Sequence, residues 1–324
     1  MSSKSNLKKK LKKNLFFTLL INYKRIIFER ISLLLYDDYS FVKKEYHKRL
    51  KREIDLKNPK RFMEKLQWVK LFYRNPLMPV CADKARIRDF LHLRGYGEYG
   101  IPVFKVYKSV NDIDFDSIPE KCIMKASHGS SMHLVINKSE FKNKFLAKLV
   151  MKSWLKMNIY AEGREWPYKE VKPAIVCEYF IEPKTENKLR DYKLFCFNGL
   201  VRFIQVDIDL LSDNHNVNFY DADWNLLTLK GQYPNFSQTI ERPENFDDMK
   251  KIAEDLSSEF PHVRVDFYGY DDQLKIGELT FFDGSGFYQM SPDKYDFEFG
   301  EKFILPEPNY NLELYERIMK GQSK

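Results

Sequence analysis

The stretch His262-Val263-Arg264-Val265-Asp266-Phe267-Tyr268, followed after a turn by Ile276-Gly277-Glu278-Leu279-Thr280, alternates in character along its length. Successive side chains of a strand point to opposite faces. Val263, Val265 and Phe267 therefore predict a buried face, with Arg264, Asp266 and Tyr268 on the other. The turn signal Gly269-Tyr270-Asp271-Asp272 makes the two runs an antiparallel hairpin. Such a hairpin lets Asp266 and Glu278 converge, and two hard oxygen donors suit Mg²⁺ shared with substrate phosphates. Read alone, the same carboxylates also suit an exposed strand or a pair with Arg264.

Outward from this hairpin the chain keeps a mixed texture. Short apolar strands are predicted at Val103–Tyr107, Cys122–Ala126, His133–Ile136, Ala174–Phe180, Tyr192–Phe197 and Val201–Ile208. Helical stretches at 139–157 and 245–259 interrupt them, and 62–74 shows helical period. Phe197-Asn198-Gly199 marks a second hairpin turn, and Asp83 is a candidate cap for a helix running through Arg94. Hairpins and helices mixed in this way predict an α+β fold, not a regular parallel βαβ sheet.

Two further segments carry phosphate or nucleotide chemistry. In Ile123-Met124-Lys125-Ala126-Ser127-His128-Gly129-Ser130-Ser131 a strand lysine precedes a small-residue loop, which can set an ammonium and backbone N–H groups around an anion. An ordinary strand followed by a glycine turn reads the same way. Cys177-Glu178-Tyr179-Phe180-Ile181, leading to Arg190-Asp191-Tyr192-Lys193, offers backbone groups for an adenine edge and carboxylates for ribose hydroxyls. The string Gly95-Tyr96-Gly97-Glu98-Tyr99-Gly100 follows a predicted helix and leads into Ile101-Pro102, the wrong context for dinucleotide binding, so it reads as a helix stop. No GxxxxGK[ST] string occurs.

The formal charge of +8 is unevenly placed: residues 1–52 hold 15 Lys/Arg against 4 Asp/Glu, and the other 272 residues hold 39 against 42. The body is therefore slightly acidic, which argues against nucleic acid as a partner. The basic segment contains Lys8-Lys9-Lys10-Leu11-Lys12-Lys13 and then Leu15, Leu19, Ile26, Ile27, Ile31 and Leu34 at near-helical spacing. Lys24, Arg25, Glu29 and Arg30 interrupt a membrane span, and no small-residue cleavage site follows. Residues 1–52 thus predict a helix lying on an anionic membrane surface, or one packed on its own body. Cys81, Cys122, Cys177 and Cys196 lack zinc spacing and predict buried reduced thiols in a cytoplasmic protein.

The order Asp83-Lys84, Lys125 with its HGSS loop, Glu178-Tyr179, Arg264-Val265-Asp266 and Glu278 resembles the ATP-grasp superfamily. NPKRFMEKLQWVKLFYRNP, ADKARIRDFL, IMKASHGSS, DYKLFCFNG, FYDADWNLL and VRVDFY…GELTFFDGSGF look more closely like the TupA-like ATP-grasp family, over about residues 58–300. The resemblance implies an ATP-grasp fold, two α+β subdomains clasping ATP behind a basic helical extension. It divides the chain into an extension at 1–57, a helical lead-in at 58–110, one subdomain at 111–182 and a metal-bearing subdomain at 183–324. By position it implies phosphate contacts from Lys84 and Lys125, a closing loop of Ser127, His128, Gly129, Ser130 and Ser131, and an adenine hinge of Glu178, Tyr179, Phe180 and Ile181. Asp191 takes the ribose position, Lys193 a basic phosphate position, and Asp266 and Glu278 the Mg²⁺ positions. Arg264 steadies an acyl phosphate or tetrahedral intermediate. Thr280 stands where many members carry Asn, and a threonine holds metal less strongly than an amide.

The activity so implied is an ADP-forming carboxylate–amine ligase. The family association with bacterial surface polysaccharide suggests a uronic-acid carboxylate and an amino acid or other amine as substrates. A sugar-transferring or polysaccharide-assembly protein on the same scaffold is the competing reading, and a non-catalytic membrane-surface module is a third. His128, His133 and His215 are the candidate bases for the incoming amine.

Overall fold

In the computed structural model, residues 14–182, 190–208, 215–231, 233–270 and 273–320 are described. The six longest helices among the described residues are α1 (Leu15–Leu35), α2 (Asp38–Leu50), α3 (Phe62–Phe72), α4 (Lys144–Trp154), α5 (Phe246–Ser257) and α6 (Lys294–Lys302). The strands are β1 (Val103–Tyr107), β2 (Lys121–Ala126), β3 (His133–Asn137), β4 (Ile175–Tyr179), β5 (Arg190–Phe197), β6 (Leu200–Ile208), β7 (Asn216–Asp221), β8 (His262–Tyr270) and β9 (Gln273–Thr280). The predicted strands all form. β7 is the addition, over Asn216–Asp221.

The described chain divides into two compact units. The first comprises the residues up to Asp37, with Ala82–Arg86 and Ile101–Ile181. The second takes Asp38–Cys81, Ile87–Gly100 and the chain from Glu182 onward. The division therefore runs through the expected lead-in at 58–110.

The first unit is an antiparallel sheet of order β1-β4-β2-β3. In β2, Cys122, Met124 and Ala126 are buried and alternate with Ile123 and Lys125, as a half-buried strand requires. That buried face packs on Val150, Met151 and Trp154 of α4, whose first turn is capped by Asn143 accepting from Leu146 N–H at 3.3 Å. Helix α1 starts on an Asn14 cap, whose Oδ1 accepts from Phe16 N–H at 3.0 Å. Its apolar residues do not share one face. A turn of 100° per residue puts Leu15, Leu19 and Ile26 against the unit and leaves Ile27, Ile31 and Leu34 exposed, which corrects the single stripe expected.

The second unit is an antiparallel sheet of order β7-β6-β5-β8-β9. Asn198 and Gly199, at φ 51° and 79°, make the tight turn between β5 and β6, a conformation glycine adopts without cost. One face of this sheet packs on Met249, Ile252, Ala253 and Leu256 of α5. The other face is graded along the strands. At one end Phe195 stacks on Phe203 at 4.1 Å between ring centroids, and Phe203 stacks on Phe299 of α6 at 3.9 Å. Phe62 of α3 closes that end against Phe197 at 5.1 Å. The opposite end of the same face is charged.

Helix α3 is fixed by Glu64, whose Oε2 accepts from the N–H groups of Lys60 and Arg61 at 3.0 and 3.1 Å. It is tied to α6 by Lys65, which donates to the carbonyls of Gly300 and Phe303 at 2.7 Å each. The helix expected from Asp83 through Arg94 is shorter, Ile87–Leu93. Asp83 instead closes a turn, its Oδ1 accepting from Ala85 N–H at 2.9 Å. Gly95, at φ 80°, ends that helix, so the GxGxxG string is a helix stop. The four cysteines are free and buried.

Candidate active site

Strand register alone assembles the polar end of the larger sheet. Lys193 lies opposite Gln205 on one side and Asp266 on the other, and Asp266 lies opposite Glu278. Directly opposed residues share a face, so Gln205, Lys193, Asp266 and Glu278 form one row across β6, β5, β8 and β9. A second row places Asp207 opposite Asp191, and a third places Arg264 opposite Thr280.

The side chains of these rows bond to one another. Lys193 Nζ donates to Asp191 Oδ2 and, at 2.5 Å, to Asp207 Oδ2. Gln205 Nε2 donates to the other Asp207 oxygen at 2.6 Å. Arg264 grips Asp266 in a fork, Nε to Oδ1 and Nη2 to Oδ2, each at 2.6 Å. Arg264 Nη1 also donates to Asp283, and Nη2 lies 3.2 Å from Thr280 Oγ1 and 3.6 Å from Glu278 Oε1.

Burial and charge oppose each other at these groups. Burial pulls the Lys193 ammonium down, but Asp191, Asp266 and Asp207 outweigh it and hold the group above its ordinary value. Burial likewise works against the Arg264 charge and is outweighed by Asp266 and Asp283, so the guanidinium stays fully charged. Burial pushes Asp266 and Asp191 above the usual carboxylate range, with Arg264 pulling back on the first and Lys193 on the second.

Asp266 and Glu278 fit Mg²⁺ bound jointly with phosphate oxygens. Both are hard donors in direct cross-strand opposition, and Thr280 Oγ1 lies 3.4 Å from Glu278 Oε1. No group of three or more His, Cys, Asp or Glu side chains suited to a metal occurs among the described residues.

The turn after β9 holds Asp283 toward Arg264. Gly284, Ser285 and Gly286 all have positive φ, and Gln67 and Lys70 of α3 clamp the turn. Gln67 Nε2 donates to the carbonyls of Ser285 and Gly286 at 2.9 and 2.8 Å, and Lys70 Nζ to Ser285 O at 2.8 Å. A Cβ at Gly286, whose φ is 66°, would meet Gln67 Nε2 at 2.4 Å, so a side chain there would displace the clamp.

The first unit carries the lysine and loop set. Lys84 Nζ donates to Gly129 O at 3.0 Å, and its N–H to Ser127 O at 3.0 Å, which fixes Lys84 to the loop. Lys125 of β2 and Glu178 of β4 share a sheet face and pair at 2.6 Å between Nζ and Oε2. Tyr179 is exposed, with its N–H donating to Pro102 O at 3.0 Å; Phe180 and Ile181 follow, half-buried.

The loop splits into a fixed base and an open tip. Ser127 is buried, its Oγ accepting from Ala174 N–H at 3.1 Å. His128 is buried with Nε2 3.1 Å from Trp154 O, and a Cβ at Gly129 would meet Met132 and Ile159 within 2.7 Å. Ser130 and Ser131 are exposed, Ser131 at φ 59°. The tip, not Ser127 or His128, is the exposed part of the loop.

Of the candidate bases, burial pushes His128 down to about 4, with Trp154 O opposing and Lys84 adding to the effect. It is held neutral. His133 is exposed on β3. His215 is nearly buried, its ring 4.0 Å from the Tyr233 ring and its Nε2 3.6 Å from Asp207 Oδ2.

His262 gives a testable acid response. It is buried in the aromatic end with Nδ1 3.0 Å from Cys196 O, and burial lowers its pKa from 6.5 to about 3. Between those values the unfolded chain takes up the proton and the fold does not. Stability therefore falls as pH drops below about 6.5. Between about pH 6 and 5, wild type is expected to lose about 1 kcal/mol more unfolding free energy than His262→Phe, read by urea titration at each pH. Equal losses would place the proton elsewhere.

A model of the TupA-like ATPgrasp family matches residues 64–304, well over half of the chain. The chain belongs to the TupA-like ATPgrasp family. As a member it contains both the sheet of opposed carboxylates and the lysine–serine loop within the matched residues. Its fold is α+β of the ATP-grasp type. Solved structures similar to this family member include a D-alanine–D-alanine ligase from Bacillus anthracis, at 15% identity over 67% of this chain and 58% of that one, TM-score 0.38. D-cycloserine synthetase DcsG matches at 14% identity over 71% of this chain and 72% of that one, TM-score 0.40. A D-alanine–D-alanine ligase from Helicobacter pylori matches at 15% identity over 74% and 68%, TM-score 0.37. The chain spans less than two thirds of the length of the Bacillus anthracis ligase. No curated protein is significantly similar in sequence.

Sequence reading missed Gln205, Asp207, Asp283, Gln67 and Lys70. Asp207 alternates with Gln205 on a predicted strand, which signals a shared polar face. Only the register shows that this face meets Lys193.

Proposed function

We propose that this protein is an ATP-dependent carboxylate–amine ligase working through an acyl phosphate. The observation that supports it most is the row Gln205–Lys193–Asp266–Glu278 with Arg264 beside it: buried cations next to paired carboxylates, within the family match. Buried, pre-aligned charge of this kind suits phosphoryl transfer, where catalysis is mostly positioning and electrostatic stabilisation.

The acceptor carboxylate attacks the γ-phosphorus of ATP, the bond to the bridging oxygen breaks, and ADP leaves. The amine nitrogen then attacks the acyl carbon, and inorganic phosphate leaves with one former carboxylate oxygen. Lys84, Lys125 and Lys193 are the residues that would balance phosphate charge, and Ser130 and Ser131 the loop groups that would cover it. Asp266 and Glu278 would hold Mg²⁺, which offsets charge on the phosphate oxygens when bound. Arg264, fixed on two sides by Asp266 and Asp283, would meet the developing oxyanion. Glu178, Tyr179, Phe180 and Ile181 would face the adenine and Asp191 the ribose. For substrates we assign a uronic-acid carboxylate of a surface polysaccharide or its precursor, and an amino acid or amine.

The test is ADP release from Mg-ATP with uronic acids and amines offered singly and together. Sustained release is expected only with both, and Lys125→Ala should lower kcat/KM by about 10²–10³-fold. Undiminished turnover in that variant would remove Lys125 from the site.

A further inference from the structure

Helix α1 carries apolar residues on both sides. The stripe it turns toward its own unit is mixed: Leu15, Leu19 and Ile26 pack there, Asn22, Glu29 and Ser32 are buried beside them, and Arg25 is half-buried. Each of these polar residues is tied down. The Asn22 amide and Ser153 Oγ lie 2.7 Å apart, and Arg25 pairs with Glu162. Glu29 Oε2 accepts from Asn158 N–H at 2.8 Å, and Ser32 O accepts from Arg164 Nη2 at 3.0 Å.

The opposite side is apolar and exposed. Phe16, Leu20, Ile27, Phe28, Leu34 and Leu35 stand in water, Phe28 at 71% and Leu34 at 86% of full exposure. An amphipathic helix on a globular body ordinarily turns a polar face to water, and a contiguous apolar patch on a surface marks a site of association. The only charges on this arc are the cations Lys24 and Arg30. The 28 residues from Met1 to Phe28 contain no Asp or Glu and include Lys4, Lys8, Lys9, Lys10, Lys12 and Lys13.

We infer that the outward face of α1 seats on an anionic lipid surface, with its apolar side chains in the headgroup–acyl boundary and Lys24 and Arg30 on acidic headgroups. Charge complementarity selects this occupant. A second copy would bring two strongly cationic segments together, whereas an anionic bilayer neutralises them. Among the described residues no helix is long and apolar enough to cross a membrane, and the inward stripe of α1 is already packed on protein. The helix therefore lies along the surface. This inference is independent of the ligase reading: it concerns where the protein sits.

The experiment is flotation of the full chain with vesicles of phosphatidylcholine alone, or with about one third phosphatidylserine. The chain is expected to float with the anionic vesicles, to release as salt rises toward about 1 M, and to stay behind with the neutral ones. Phe28→Ser with Leu34→Ser should lower partitioning on the order of 30-fold with an unchanged unfolding midpoint, since both side chains are exposed. If that pair lost its fold, Ile27→Ser with Leu35→Ser reads the same face. Absence of binding at low salt would overturn the inference. So would equal binding by the serine variants, or a dimer in lipid-free sedimentation that the variants abolish while the wild type ignores vesicles.

Discussion

Replacing Lys193 with Met is expected to destabilise the protein by about 3–5 kcal/mol, the usual cost of stripping one partner from a buried charge cluster. Lys193 is the single ammonium between Asp191 and Asp207, which face each other on adjacent strands. Without it two buried carboxylates confront one another, and burial already pushes Asp191 upward. Removing all three charges, in Asp191→Asn with Lys193→Met and Asp207→Asn, should recover part of the loss because no uncompensated charge remains. Urea unfolding at neutral pH reads both. A loss below about 1 kcal/mol in the single variant would mean that Lys193 is not buried between carboxylates.

Asp266→Asn is expected to do the opposite: a modest effect on the fold and a large one on the chemistry. Arg264 keeps Asp283, with Glu278 nearby, so its charge is not stranded, and the expected cost is about 1–3 kcal/mol. The carboxylate that would share Mg²⁺ with Glu278 is gone, and kcat/KM for ADP formation should fall on the order of 10³-fold. The dependence on Mg²⁺ concentration should move to higher values. Thermal unfolding and steady-state kinetics on one preparation separate the two effects. Wild-type turnover in a folded Asp266→Asn protein would exclude this carboxylate from the reaction.

Local pattern made much of this legible. Val263, Val265 and Phe267 against Arg264, Asp266 and Tyr268 disclose a strand with one polar face, and the strand opposite supplies Glu278. Alternation has a period of two and survives any register, so it can be read along a single strand. What crosses strands cannot. Gln205 and Asp207 join the site only because β6 pairs with β5 in one register, and Asp283 reaches Arg264 only through a turn clamped by Gln67 and Lys70. The loop is a mixed case: its serines mark a flexible tip, but burial commits Ser127 and His128 to the scaffold. Helix α1 misled because its period is apolar on two sides, and the side that packs is chosen by hydrogen-bond partners at Ser153, Asn158 and Glu162. The turn tip Asp271-Asp272 and the lysine run at 8–13 lie outside the described residues.

In the proposed reaction an acceptor carboxylate is phosphorylated before an amine displaces the phosphate. The most direct measurement uses an acceptor carboxylate labelled with heavy oxygen, incubated with Mg-ATP, an amine and the full chain, with the released phosphate analysed by mass. Each inorganic phosphate formed with amide is expected to carry one labelled oxygen. Phosphate carrying no label, with ADP still formed, would contradict it.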